Sequence, residues 1–151
     1  MKKLLLLFLL FGLDACTDSK KELTENTFEH QEIQIIDPWA RPSSSGSNTA
    51  AYMFIENGTT NADTLLNAYA DISDDVQIHE SYSAEDGMMG MRRIQNVVLE
   101  SGDYAQLKPG GIHIMFLGLN KDLSIGDSIS VELEFAVKGR ISIQAPVRSP
   151  S

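Results

Sequence analysis

The chain has 151 residues, is 42% hydrophobic and 22% charged, and carries a formal net charge of −9. That is the composition of one globular domain, and its acidity excludes charge-driven binding to nucleic acid or to anionic membrane surfaces. Cys16 is the only cysteine, which excludes an intramolecular disulfide.

Met1-Lys2-Lys3 followed by Leu4 to Leu13 is a short basic region and then an apolar run. The run is too short to cross a bilayer as a helix and reads as a secretory signal. It ends in Leu13-Asp14-Ala15-Cys16, which resembles a bacterial lipobox, although Asp14 stands where a small or apolar residue is usual. We therefore expect a signal peptide over residues 1–15 and a lipid anchor on Cys16, which places the protein in the bacterial envelope on the periplasmic side. Residues 16–31 are expected to form a polar tether, because they have no apolar period. His30, at its end, reads as a solvated linker histidine.

The domain is expected over residues 32–151. Ile33 to Ile36 opens a strand that Asp37-Pro38 is expected to end, and Trp39 reads as a core anchor. Ser43 to Asn48 is a loop. Ala50 to Asn57 is a strong strand closed by the turn pair Asn57-Gly58. Asp63 to Ile72 fits a further strand through Leu65, Leu66 and Tyr69, with a short helix as the alternative. Val76 to Tyr82 and Met88 to Ile94 flank Asp86-Gly87 and read as a hairpin. Val97 to Leu99 and Tyr104 to Leu107 are short strands. Lys108-Pro109-Gly110-Gly111 reads as a turn, followed by a strand through Leu117. Ile129 to Val137 alternates well, and Lys138-Gly139-Arg140 turns it back into Ile141 to Val147. Many short strands, frequent Gly, Asp and Asn turns and no long amphipathic helix predict an all-β single domain. The pattern fits an antiparallel Greek-key sandwich or barrel.

Several chemistries lack their residues. There is no phosphate-binding or dinucleotide glycine motif, and no nucleophile elbow that would support a hydrolase. With Cys16 set aside as an anchor, the domain has no thiolate for a blue-copper site. A structural zinc site wants more Cys or His than remain.

What remains is a set of soft neutral donors. His113 and Met115 sit two residues apart on an expected strand, so they share a face. His79 and Met91 lie in the preceding hairpin and meet only if the register sets them opposite or diagonal. Singly, each reads more simply as packing, since a strand methionine is usually core filler. Together, two imidazoles and two thioethers suit Cu(I). Thioether sulphur cannot form disulfides, so methionine suits an oxidising compartment better than cysteine.

These residues resemble the periplasmic copper chaperone family called PCuAC, whose pattern is His, ten residues, Met, twenty-one residues, then His-x-Met. The similarity runs from Ile33 to Val147. It includes Asp37-Pro38-Trp39-Ala40-Arg41-Pro42, Ala51 to Asn57, Asp63-Thr64-Leu65-Leu66, His79-Glu80, Gly87, Met91-Arg92, Lys108 to Met115 and Gly126-Asp127. Twenty-one residues separate Met91 from His113, but eleven separate His79 from Met91. We read the extra one as an insertion between Ser81 and Gly87. Met91 is thus the expected ligand, with Met89 as the alternative and Met88 also nearby.

The resemblance implies a cupredoxin-like barrel holding Cu(I) with His79, Met91, His113 and Met115. It implies a chaperone, not an enzyme, that delivers copper to a respiratory oxidase, with an oxidase subunit or a Sco-type protein accepting the ion. Glu80, beside His79, is a candidate to orient that ring, with a solvated carboxylate as the simpler reading. Two other readings fit the same sequence: copper buffering or resistance without an oxidase client, and a metal-free β-sandwich lipoprotein. The mark of the last would be motif residues that face different ways or are buried in the core.

Overall fold

Alternation of apolar and polar residues sets the layers of the domain. The computed structural model describes residues 32–85 and 87–150. The signal segment, Cys16 and the tether with His30 lie outside the described residues. Ten strands follow in chain order: β1 (Ile33–Ala40), β2 (Thr49–Asn57), β3 (Asp63–Ala70), β4 (Asp75–Ser83), β5 (Met89–Arg93), β6 (Val97–Leu99), β7 (Tyr104–Leu107), β8 (Ile112–Leu117), β9 (Ser128–Phe135) and β10 (Gly139–Pro146). The described residues contain no helix.

The strands form two sheets. The larger has six strands in the order β1-β2-β7-β8-β4-β5, and the smaller has four in the order β10-β9-β3-β6. In β9, Ile129, Val131, Leu133 and Phe135 are buried while Ser128 and Ser130 are exposed. In the larger sheet, Ala51, Met53, Ile55, Ile78, Ile114 and Phe116 belong to the same core cluster. The core therefore lies between the sheets. Each fully buried large apolar side chain contributes roughly 1.5–3 kcal/mol. A parallel bridge between Ala40 and Val147 ties the end of β1 to the segment after β10 and links the two layers at one side. The expected all-β sandwich is borne out, and β9–β10 is the regular hairpin that the alternation predicted, paired from Gly139↔Phe135 to Pro146↔Ser128.

Three local expectations are corrected. Asp37-Pro38 does not end the first strand. The chain bulges there, with Asp37 at φ 48°, and pairing with β2 resumes at Trp39↔Tyr52. The Arg148 guanidinium holds the Asp37 carboxylate at 2.6 Å. Trp39 is half-buried rather than in the core. It stacks on Tyr52 at 4.6 Å between centroids, with the Arg148 guanidinium 5.2 Å from its ring.

The third correction matters most for the site. Lys108 to Gly111 does not turn the chain back on itself. β7 pairs with the second half of β2 (Leu107↔Met53) and β8 with the first half (Ile114↔Ala51), so both run the same way along one strand. The Lys108–Gly111 segment is a loop looped out between them, closed by the Lys108 N–H donating to the Ile112 carbonyl at 2.8 Å. Gly110 has φ 77°, in the left-handed region, where a side chain would be strained.

Candidate metal centre

β8 has two faces. Ile114 and Phe116 point into the core and are fully buried. His113 and Met115 therefore lie on the other face. Cross-strand pairing extends that outer face. Met115 is opposite Ala50 on one side and Gln77 on the other, and His113 is opposite His79. On the next strand His79 is opposite Arg93, and Ser81 is opposite Met91. Met91 is therefore diagonal to His79 on the same face. The structure thus brings His79, His113, Met115 and Met91 to one face of the larger sheet, the face turned away from the core.

A groove of about 430 Å³ opens there, its wall including Arg41, Tyr52, Ser81, Met91, His113 and Met115. His79 is not on that wall; its ring lies beside His113, 5.9 Å between centroids. His113 is only 4% exposed, whereas Met91 is 58% exposed on the edge strand. Met89 stands farther along β5, opposite Ser83, and its sulphur accepts the Ser83 hydroxyl at 3.2 Å. The hairpin loop is closed by the Ala84 N–H donating to the Met88 carbonyl and the Gly87 N–H to the Ala84 carbonyl. Beyond that loop the alternation keeps Met91 on the histidine face. Gly90 lies under the Tyr82 ring, where an added Cβ would come within 2.6 Å of a ring carbon.

The two imidazoles are held differently. His113 Nδ1 meets the Gly111 carbonyl at 3.0 Å. A carbonyl only accepts, so Nδ1 donates and Nε2 carries the lone pair. The same carbonyl accepts the Ser81 N–H at 3.1 Å, so the looped-out segment before β8 orients the histidine. His79 Nε2 meets Gln77 Oε1 at 2.8 Å, and His79 Nδ1 is buried with no hydrogen-bond partner among the described residues.

The electrostatics favour a neutral His79. Burial lowers the His79 pKa below its ordinary 6.5, and His113 and Arg93 lower it further, against a weaker opposite pull from Asp75. Burial raises the Tyr52 phenol above 10, partly offset by Arg41, whose guanidinium lies 5.6 Å from the ring. Tyr52 is therefore a neutral phenol at pH 7. Among the described residues no three His, Cys, Asp or Glu side chains gather where they could hold a metal. A metal on this face would have to use thioether sulphur, which selects soft ions.

Of the two parts open to Glu80, the structure gives it the surface carboxylate and not the orienting one. It follows His79 on β4, so it lies on the opposite face, and it pairs there with Arg92 at 2.7 Å. The residues that orient the rings are Gln77 and the Gly111 carbonyl, neither singled out from the sequence. Gln77 was within reach of the same alternation that paired His113 with Met115, being two residues before His79 on a strand. The looped-out carbonyl had no comparable signal.

Comparison with known proteins gives the chain its relatives. Residues 33–147 match the family described as "Putative lipoprotein LpqE-like". "Putative lipoprotein Lxx21020" of Leifsonia xyli subsp. xyli is 25% identical over 141 residues, covering 93% of this chain and 84% of the relative. Among solved structures, the copper-bound PCuAC domain from PmoF2 is 25% identical with a TM-score of 0.66, over 79% of this chain and 94% of that one. The solution structure of CuI-DR1885 from Deinococcus radiodurans shares the fold at 21% identity, with a TM-score of 0.60 over 79% of this chain and 81% of that one. The resemblance to PCuAC is thus borne out, and the chain belongs to the LpqE-like lipoprotein family with a domain of the PCuAC fold.

Proposed function

We propose that this protein is a copper chaperone that holds one Cu(I) with His79, Met91, His113 and Met115 and passes it to another protein. The observation that carries the reading is the gathering of two imidazoles and two thioethers on one open face, outside the core. The copper-bound state of the PmoF2 domain and the CuI form of the Deinococcus protein support the same cargo here. Neutral ligands leave the complex with one positive charge, and the exposure of Met91 gives an acceptor access to the ion. A partner thiolate would outcompete a thioether for Cu(I), so capture by thioether and release to thiolate run downhill. The proposed role is binding and transfer, not catalysis.

The finer assignment follows from the sequence. Cys16 is the proposed lipid anchor on the periplasmic side, residues 16–31 the tether, and 32–151 the working domain. The proposed acceptor is an oxidase subunit or a Sco-type protein in cytochrome c oxidase assembly. Competition for Cu(I) against a chromogenic chelator, on protein starting at Cys16 with Cys16→Ser, tests the reading. One tight equivalent, weakened by His113→Ala and by Met115→Ala, is expected. Absence of uptake, or binding indifferent to both changes, would contradict it.

A further inference from the structure

Asp75, Gln77 and His79 occupy alternate positions of β4 and so share the outer face. Gln77 Nε2 donates to both oxygens of the Asp75 carboxylate, at 2.9 and 3.0 Å. A carboxylate only accepts, which fixes the amide with its nitrogen toward Asp75 and its oxygen toward His79. That oxygen meets His79 Nε2 at 2.8 Å. An amide oxygen also only accepts, so Nε2 must carry the proton. The lone pair of His79 is then on Nδ1, the buried atom that has no hydrogen-bond partner among the described residues. His113 is set the opposite way, with Nδ1 donating to the Gly111 carbonyl.

From this geometry we infer that Asp75 and Gln77 are positioning residues that fix the His79 tautomer, so that His79 offers Nδ1 and His113 offers Nε2 to the metal. The inference rests on the copper reading above and deepens it. The two histidines are opposite one another on adjacent strands, with ring centroids 5.9 Å apart. Their different hydrogen-bond partners, the Gln77 amide oxygen at His79 Nε2 and the Gly111 carbonyl at His113 Nδ1, leave a different nitrogen free on each ring. A buried lone pair without a donor is costly to keep, and a soft cation would satisfy it. Hydrogen bonds to the remote nitrogen of a ligating histidine fix its orientation and raise its basicity. Here the relay ends in a carboxylate, which polarises the amide toward the ring.

Long-range proton–nitrogen NMR of histidine-labelled apo protein at pH 7.5 reads the tautomers directly, without metal. Wild type is expected to show Nε2–H at His79 and Nδ1–H at His113. Gln77→Leu removes the acceptor. It should let His79 populate both tautomers and weaken Cu(I) binding by about 10-fold to 100-fold. Gln77→Glu alone would set a second carboxylate against Asp75, so it is paired with Asp75→Asn, whose amide donates to Glu while the Glu carboxylate accepts from His79 Nε2. The double variant should retain the Nε2–H tautomer and recover most of the Cu(I) affinity lost in Gln77→Leu, which a loss of packing alone would not predict. A wild-type His79 protonated on Nδ1, or a tautomer unmoved in Gln77→Leu, overturns the inference. Tight uptake of Cu(I) with an unfixed His79 overturns the relay alone. A fixed His79 in a protein that takes up no Cu(I) overturns the copper reading, and the metal role of the relay with it.

Discussion

The two faces of β8 follow one alternation and serve opposite ends. Inward, Ile114 and Phe116 have no exposure and sit in the core between the sheets. Outward, His113 and Met115 carry lone pairs beside a groove. The outer face is itself graded. His113 and His79 stand on adjacent central strands and are held by Gly111 and Gln77, while Met91 rides on the edge strand and is largely exposed. Two inner strands thus present the hydrogen-bonded donors, and a sheet edge presents the exposed one. Stability and binding should therefore separate by residue parity along one strand.

The largest expected effect is on the inner face. Phe116→Ala should cost about 3–5 kcal/mol of stability, from lost burial and the cavity left behind. Urea denaturation would read this, and the fraction still folded should bind copper normally. On the outer face His113→Ala should reverse the pattern. Cu(I) affinity is expected to fall about 100-fold or more, equivalent to about 2.7 kcal/mol, with a smaller change in urea midpoint. If His113→Ala instead unfolds the protein while binding survives in the folded fraction, the division between faces fails.

Met91→Leu sharpens the gradient within the outer face. An exposed thioether at a sheet edge should contribute less than a held imidazole, so a loss of about 10-fold is expected. Met89→Leu, opposite Ser83 and off the groove wall, should change affinity by less than about threefold. A larger loss from Met89→Leu than from Met91→Leu would move the fourth ligand one step along β5.

The smallest effect is in pH. His79 has its folded pKa lowered by burial, by His113 and by Arg93. The unfolded chain therefore takes up the proton first as pH falls below 6.5. The His79 contribution to stability is full above that value and declines down to the lower folded pKa. Proton competition at His79 should likewise weaken Cu(I) binding only below 6.5. An NMR titration of the apo protein should place the His79 midpoint below its ordinary value, and a midpoint at or above it would contradict the burial argument.

Much of the fold was legible because alternation is a local signal. β9 and β10 could be read as a hairpin from Ile129, Val131 and Leu133 against Lys138-Gly139-Arg140. The outer face was half legible, since His113 and Met115 share parity but the register that brings Met91 to them depends on tertiary pairing. Asp37-Pro38 misled because proline, a usual strand stop, can sit in a bulge at an edge, and β1 is an edge strand. Pro109-Gly110-Gly111 misled in the same way. Turn chemistry reports that the chain leaves the strand, not whether it comes back in the same direction. Trp39 misled through its size, because a large aromatic can pack on an outer face against Tyr52 as readily as in a core.

X-ray absorption on the Cu(I)-loaded protein counts the donors around the ion. Two nitrogen and two sulphur scatterers are expected, with the sulphur count falling to one in Met91→Leu. A shell with no sulphur, or a sulphur count unchanged in Met91→Leu and in Met115→Leu, would contradict the proposed copper site.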